Sequence, residues 1–173
     1  FIGNRMLSPY LRQAGLIVAE GALPQQVDGA LERFGFAMGP FRMLDLAGLD
    51  THTRVTRRQY VEYPDRVFPK WFDRVHDLGR YGQKSGAGFY RYEPGVRKAI
   101  PDPVVEEIVR RHSAELGIAR RTIADEEIVE RCLLALANEG AHVLEGGFAQ
   151  RASDIDVVYL TGYGFPAHKG GPM

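Results

Sequence analysis

Residues 4–40 decide the fold. They run from Asn4-Arg5-Met6-Leu7 through Glu20-Gly21-Ala22 and Val27-Asp28 to Gly35-Phe36 and Gly39-Pro40. The same order returns near the other end of the chain. There it reads Glu130-Arg131-Cys132-Leu133, Glu145-Gly146-Gly147, Ile155-Asp156, Gly164-Phe165 and Gly171-Pro172. Each copy is an apolar helix, a Glu-Gly stop, a hydrophobic-Asp pair, Gly-Phe and Gly-Pro, with the spacing slipping by a few residues. A duplicated helical unit can pack one copy on the other as an internal dimer. Phe1 falls inside a helical pattern, and Met173 follows Gly-Gly-Pro with no stop signal. The expectation is a piece of a longer protein.

Working outward, Ile2, Met6, Tyr10, Ala14, Ile17 and Val18 recur at helical spacing, which predicts a first helix to Glu20, stopped by Gly21. Pro24 suits the first turn of a second helix, closed by Gly35. Gly39-Pro40 opens a third, halted near Gly48. A fourth is capped by Asp50 or Thr51 and ends before Pro64. A fifth opens at Pro69 and buries Trp71, Phe72, Val75 and Leu78. From Gly79 to Tyr92, four glycines precede Phe89-Tyr90-Arg91-Tyr92, a turn leading into a short extended piece. Three prolines and a glycine between Glu93 and Pro103 read as a linker. Beyond it, one helix runs from Val104 to Leu116. A long one is capped by Thr122 or Asp125, and a last one by Ser153. The class is all-α, as a helical domain with a second, degenerate copy. The division is residues 1–93, linker 94–103 and an incomplete copy over 104–173.

The chain has 173 residues, enough for one domain or two small ones. Lys plus Arg and Asp plus Glu are 22 each, a balance that gives no support to nucleic-acid or membrane-surface binding. Arg57-Arg58 and Arg120-Arg121 read as solvated helix faces. No apolar run approaches the ~18 residues of a membrane span, and Phe1-Ile2-Gly3-Asn4-Arg5 is no signal peptide. One cysteine, Cys132, excludes an internal disulfide and lies in an apolar helical run, where it reads as buried filler.

No complete catalytic set is visible. Gly82, Gly86 and Gly88 lack the spacing of a dinucleotide fingerprint, and their context is helix to strand, so they read as a tight turn. The five histidines are scattered without metal-ligand spacing and take surface or capping roles. Asp125-Glu126-Glu127 complements the dipole of a helix start. Asn4 has two readings. It caps the first helix, or its amide donates to a carbonyl or hydroxyl oxygen of a ligand.

Four motifs carry a resemblance: Phe1-Ile2-Gly3-Asn4-Arg5, Met38-Gly39-Pro40-Phe41, Asp45-Leu46-Ala47-Gly48-Leu49-Asp50, and Lys84-Ser85-Gly86-Ala87-Gly88-Phe89-Tyr90-Arg91-Tyr92. In this order they resemble the C-terminal domain of 3-hydroxyacyl-CoA dehydrogenases over residues 1 to 92. The run from Gly164 to Met173 resembles the second C-terminal repeat of the multifunctional fatty-acid oxidation enzymes. The resemblance implies oxidation of (3S)-3-hydroxyacyl-CoA to 3-oxoacyl-CoA with NAD in β-oxidation. It implies that NAD and a catalytic His-Glu pair belong to an upstream domain, so that this stretch alone is inactive. Asn4 matches the family's substrate-site asparagine, which moves its reading from cap to substrate hydrogen bond. Glu130 stands at the matching place in the second copy, implying a copy that has lost its site and serves packing. Lys84 could meet a CoA phosphate, but a surface role suits it better.

The implied partners are an acyl-CoA substrate, the upstream NAD-binding domain and a second copy in a homodimer, with no nucleic acid. The implied compartment is the bacterial cytoplasm first and the peroxisome second. Two other readings stay open. One is a structural pairing module without ligand contact, the other a related dehydrogenase for another 3-hydroxy acid.

Overall fold

The computed structural model of the chain describes residues 1–96 and 98–173. The helices are α1 (Ile2–Glu20), α2 (Pro24–Phe34), α3 (Pro40–Ala47), α4 (Leu49–Glu62) and α5 (Trp71–Asp77), then α6 (Pro103–Glu115), α7 (Asp125–Glu145) and α8 (Ala152–Gly162). The only sheet among the described residues pairs β1 (Tyr90–Arg91) antiparallel with β2 (Ile100–Pro101). The all-α expectation holds.

The glycine and proline signals place most helix ends. Gly21 and Gly35 stop α1 and α2 at φ +150 and +128, values that favour a residue without Cβ. Pro24, Pro40 and Pro103 sit in first turns, where a missing N–H costs nothing. Pro9 is harder on its helix, since it lies inside α1 and removes an internal bond. Tertiary packing compensates. The buried face of α1, with Met6, Tyr10, Ala14 and Ile17, meets Ile128, Cys132, Leu136 and Val143 of α7 in one core. A second part of that core is aromatic: Phe41, Trp71, Phe72 and Phe89 pack with ring centroids 4.5–6.0 Å apart.

The α1–α7 pair carries the duplication into three dimensions. Arg5 Nε donates to Glu139 at 2.6 Å. Arg131, its counterpart, donates from Nε and Nη2 to the Gln13 side-chain oxygen at 2.8 and 2.7 Å when that amide turns its oxygen inward. Gln13 and Glu139 are themselves counterparts. Reciprocal contacts of this kind mark an isologous, two-fold pairing. Further along, Phe36 N–H bonds Leu31 and Phe165 N–H bonds Tyr159, both at 3.1 Å. The two phenylalanine rings then meet edge to face at 5.2 Å.

Several expected caps are corrected. α4 begins at Leu49, before Asp50 and Thr51. Its first N–H is taken by the Tyr81 carbonyl at 3.1 Å, which removes the need for a side-chain cap. α7 follows Ala124, and Asp125 is drawn sideways to Arg33 and Gln26 of α2. α8 follows Arg151, whose N–H is bonded by Asp154 at 3.0 Å, and Ser153 lies inside the helix. α5 starts two residues after Pro69, and Leu78 is 61% exposed, past the helix end.

The segment read as a linker holds β2, and its Asp102 caps α6 by accepting Val104 N–H at 3.1 Å. Arg120 lies in the α6–α7 connection, on no helix face. Its guanidinium donates to the carbonyls of Val18, Ala19, Gly21 and Ala22 at 2.8–3.2 Å, closing the C-terminal end of α1. His112 is buried within α6, which overturns its surface reading.

Candidate functional site

Three of the four motifs of the first 92 residues converge on two buried carboxylates; the first, Phe1–Arg5, does not. Asp28 of α2 accepts the N–H groups of Phe41 and Arg42 at 2.9 and 3.1 Å and the Tyr90 hydroxyl at 2.6 Å. Asp45 of α3 accepts Phe89 N–H at 2.8 Å, Tyr90 N–H at 3.0 Å and the Tyr92 hydroxyl at 2.9 Å. Burial pushes Asp28 up to about 7 and Asp45 up to about 6, against the pull of these hydrogen bonds. Both are almost wholly enclosed, at 2% and 1% exposure, so no substrate reaches them. They tie α2, α3 and β1 together.

The glycine-rich turn spends its own backbone. Gly82 N–H bonds Ala87, Gly86 N–H bonds Gln83 and Gly88 N–H bonds Tyr90, while Phe89 and Tyr90 give theirs to Asp45. A Cβ on Gly88 would stand 2.0 Å from Asp45 Oδ1. The Gly82 and Gly88 side of the turn is filled by Asp45 and the amides of Gly82, Gly86 and Gly88 are spent within the turn, so these glycines do not fit the phosphates of NAD. Lys84 is an exposed side chain paired with Asp50 at 2.5 Å.

Asn4 is exposed in the first turn of α1. The helix cap is Phe1, with no side-chain bond, so the capping reading of Asn4 is overturned. Its Oδ1 accepts the Tyr163 hydroxyl at 2.7 Å. Among the described residues its Nδ2 donates to none. Arg5, the next residue, turns away to Glu139 and lies over the Phe148 ring. Tyr163, the partner of Asn4, lines a cleft of about 350 Å³ together with Leu7, Tyr10, Met38, Met43 and Leu136; Asn4 itself is not among the lining residues. A neutral amide held by a residue that lines an apolar cleft can orient a polar group of a ligand whose chain lies in the cleft.

Glu130, the counterpart of Asn4, faces a shallower groove of about 670 Å³ with Arg33, Phe34 and Leu133. A carboxylate can only accept where an amide can donate. Cys132 is fully buried, and burial pushes its thiol up to about 12, as filler requires. His52, half-buried on α4, is pushed down to about 4 by burial and meets Thr56 at 3.3 Å. Among the described residues no group of three His, Cys, Asp or Glu is placed to hold a metal. No helix there is long and apolar enough to cross a membrane.

Sequence reasoning missed Tyr163 and Gly3. Tyr163 follows α8 and its ring stacks on Tyr159 at 5.0 Å. A side chain at Gly3 would collide with that ring, at 2.1 Å from Cε2. The signal lay in Tyr159 and Tyr163, four residues apart, a spacing that brings two rings together at the end of a helix.

Helices α1 and α7 paired by reciprocal contacts, with an exposed amide held by a tyrosine that lines an apolar cleft, define a helical domain. The sequence profile of the 3-hydroxyacyl-CoA dehydrogenase C-terminal domain matches residues 1–92. The chain belongs to the 3-hydroxyacyl-CoA dehydrogenase family. A peroxisomal bifunctional enzyme of Danio rerio is 50% identical over 186 residues, covering 100% of this chain and 26% of that protein. A fatty acid oxidation complex subunit alpha of Acinetobacter baumannii is 34% identical over 178 residues, covering 99% of the chain and 24% of that protein. The crystal structure of the dehydrogenase part of multifunctional enzyme 1 from C. elegans superposes with a TM-score of 0.78 at 31% identity. That match covers 100% of this chain and 39% of that one. The chain thus spans about a quarter of the length of the curated relatives it matches.

Proposed function

We propose that this chain is the substrate-side helical part of an NAD-dependent 3-hydroxyacyl-CoA dehydrogenase. The whole protein oxidises (3S)-3-hydroxyacyl-CoA to 3-oxoacyl-CoA in fatty-acid β-oxidation. NAD and the His-Glu pair belong to an upstream domain of the same protein, and this part alone does not catalyse. Residues 1–93 form the working repeat, 94–103 the connection and 104–173 the packing copy.

The observation that carries the reading is Asn4, exposed, with its Oδ1 engaged by the Tyr163 hydroxyl, the ring of which lines the apolar cleft. In this role Nδ2 donates to the C3 oxygen of the substrate. That oxygen gains negative charge as its proton leaves, so the bond strengthens towards the transition state. The acyl-pantetheine chain takes the cleft.

The compartment reading moves towards the peroxisome, because the relative named peroxisomal is 50% identical and the bacterial one 34%. A homodimer of the whole protein is a separate proposal, since the α1 face that meets α7 is already occupied within the chain.

The test is steady-state reduction of acetoacetyl-CoA by NADH with the full-length protein and its Asn4→Ala variant. The expected fall in kcat/KM is ~100-fold, or ~2.7 kcal/mol, with the melting temperature unchanged. Activity within about twofold of the parent would sink the reading and leave the pairing module, which asks nothing of Asn4.

A further inference from the structure

We propose that Tyr163 is a positioning residue that aims Asn4 at the substrate, which makes the C-terminal copy a contributor to the site of the first. The inference rests on the reading of Asn4 above and adds what orients it.

An asparagine amide has two orientations related by a half-turn, and only one presents its N–H groups outward. With Nδ2 outward, Asn4 donates to a substrate oxygen. With Oδ1 outward, two acceptors face each other. The Tyr163 hydroxyl, 2.7 Å from Oδ1, selects the first. A phenol is a better donor than acceptor, because its oxygen lone pair is delocalised into the ring. The carbonyl oxygen is therefore the end of the amide it holds best.

The hydroxyl can do this because the ring is fixed on three sides. It stacks on Tyr159 at 5.0 Å with 28° between the planes. Tyr159 is buried and its own hydroxyl donates to the Gly3 carbonyl at 3.1 Å, which locks that ring to the first turn of α1. Gly3 leaves open the space that Tyr163 fills, since a Cβ there would overlap the ring at 2.1–2.6 Å. The backbone N–H of Tyr163 bonds the Tyr159 carbonyl at 3.2 Å. Locked rotamers behind a contact residue are what hold it in productive geometry. The two partners come from opposite ends of the chain, and Tyr163 lies beyond the first repeat. An isolated first repeat would lack it.

The test uses the full-length protein with acetoacetyl-CoA and NADH, comparing Tyr163→Phe, Asn4→Ala and the double variant. Tyr163→Phe keeps the stacked ring and removes only the hydroxyl. The expected result is a kcat lowered by about tenfold, KM changed by less than about twofold, and an unchanged melting temperature. The double variant should match Asn4→Ala alone, because the tyrosine acts only through the asparagine. A Tyr163→Phe kcat equal to the parent's while Asn4→Ala is impaired would overturn the positioning role and spare the reading of Asn4. Multiplying effects in the double variant would overturn it as well. An unimpaired Asn4→Ala would overturn both. Should Tyr163→Phe fold poorly, Gly3→Ala gives the second arm. It retains the hydroxyl but displaces the ring, and the same loss of kcat is expected.

Discussion

Asp28 and Asp156 hold the same hydrogen bond in the two halves of the chain. Asp28 Oδ1 accepts the N–H of Phe41, after Gly39-Pro40, at 2.9 Å. Asp156 Oδ1 accepts the N–H of Met173, after Gly171-Pro172, also at 2.9 Å. In each case the glycine backbone lies against the carboxylate, with a Cβ position 2.4 Å from Asp28 atoms and 2.1 Å from Asp156 Oδ1. One residue pair, kept twice, explains why Gly-Pro recurs.

Gly39→Ala should therefore destabilise the protein by ~2–3 kcal/mol, since Asp28 is enclosed and its neighbours cannot yield. Gly171→Ala should cost less despite its φ of +130, because Asp156 is only half-buried and has more room to yield. Thermal unfolding of both variants decides this. A smaller loss at Gly39 than at Gly171 contradicts the shared geometry.

The buried carboxylates set a pH dependence with a definite sign. Burial raises Asp28 from 3.8 to about 7 and Asp45 from 3.8 to about 6, so the fold prefers both protonated. Their contribution is full below the unfolded value and is lost as pH rises through the folded one, at up to ~1.4 kcal/mol per pH unit for each group. The melting temperature should fall between about pH 4 and 7. In Asp28→Asn, which cannot ionise, the slope should flatten. An equally steep slope in that variant would assign the titration to another group.

Arg120 closes the end of α1 with one guanidinium on four carbonyls. Arg120→Ala should lower stability by ~2 kcal/mol. Arg120→Lys should recover only part of it, because an ammonium lacks the planar fork. Urea titration of the two variants compares them directly. A fully restored lysine variant would mean that charge alone matters.

Cys132 should be chemically silent in the folded protein, since burial holds its thiol up at about 12. A disulfide reagent at about pH 8 should label it only after denaturation. Rapid labelling of the native protein would show the α1–α7 seam opening.

Much of this architecture was legible because glycine and proline act locally. Gly21 and Gly35 fix left-handed stops, and Pro24 and Pro40 fix starts, whatever surrounds them. The caps of α4, α7 and α8 were not legible. What replaces them is a distant carbonyl at Tyr81, a diversion of Asp125 to α2, and the Asp154 carboxylate accepting the Arg151 N–H. The basic pair at Arg120 read as solvated because nothing near it in sequence reports the end of α1. Asn4 was legible through its motif alone, and its partner Tyr163 was hidden by 159 residues of separation.

The distance that matters most runs from Asn4 Nδ2 to the C3 oxygen of a bound acyl-CoA. A crystal structure of the full-length protein with NAD and acetoacetyl-CoA measures it. The account predicts ~3 Å or less, with the Tyr163 hydroxyl still on Oδ1 and the acyl chain in the apolar cleft. An Asn4 that faces open water, with no substrate atom in hydrogen-bond reach, would contradict it.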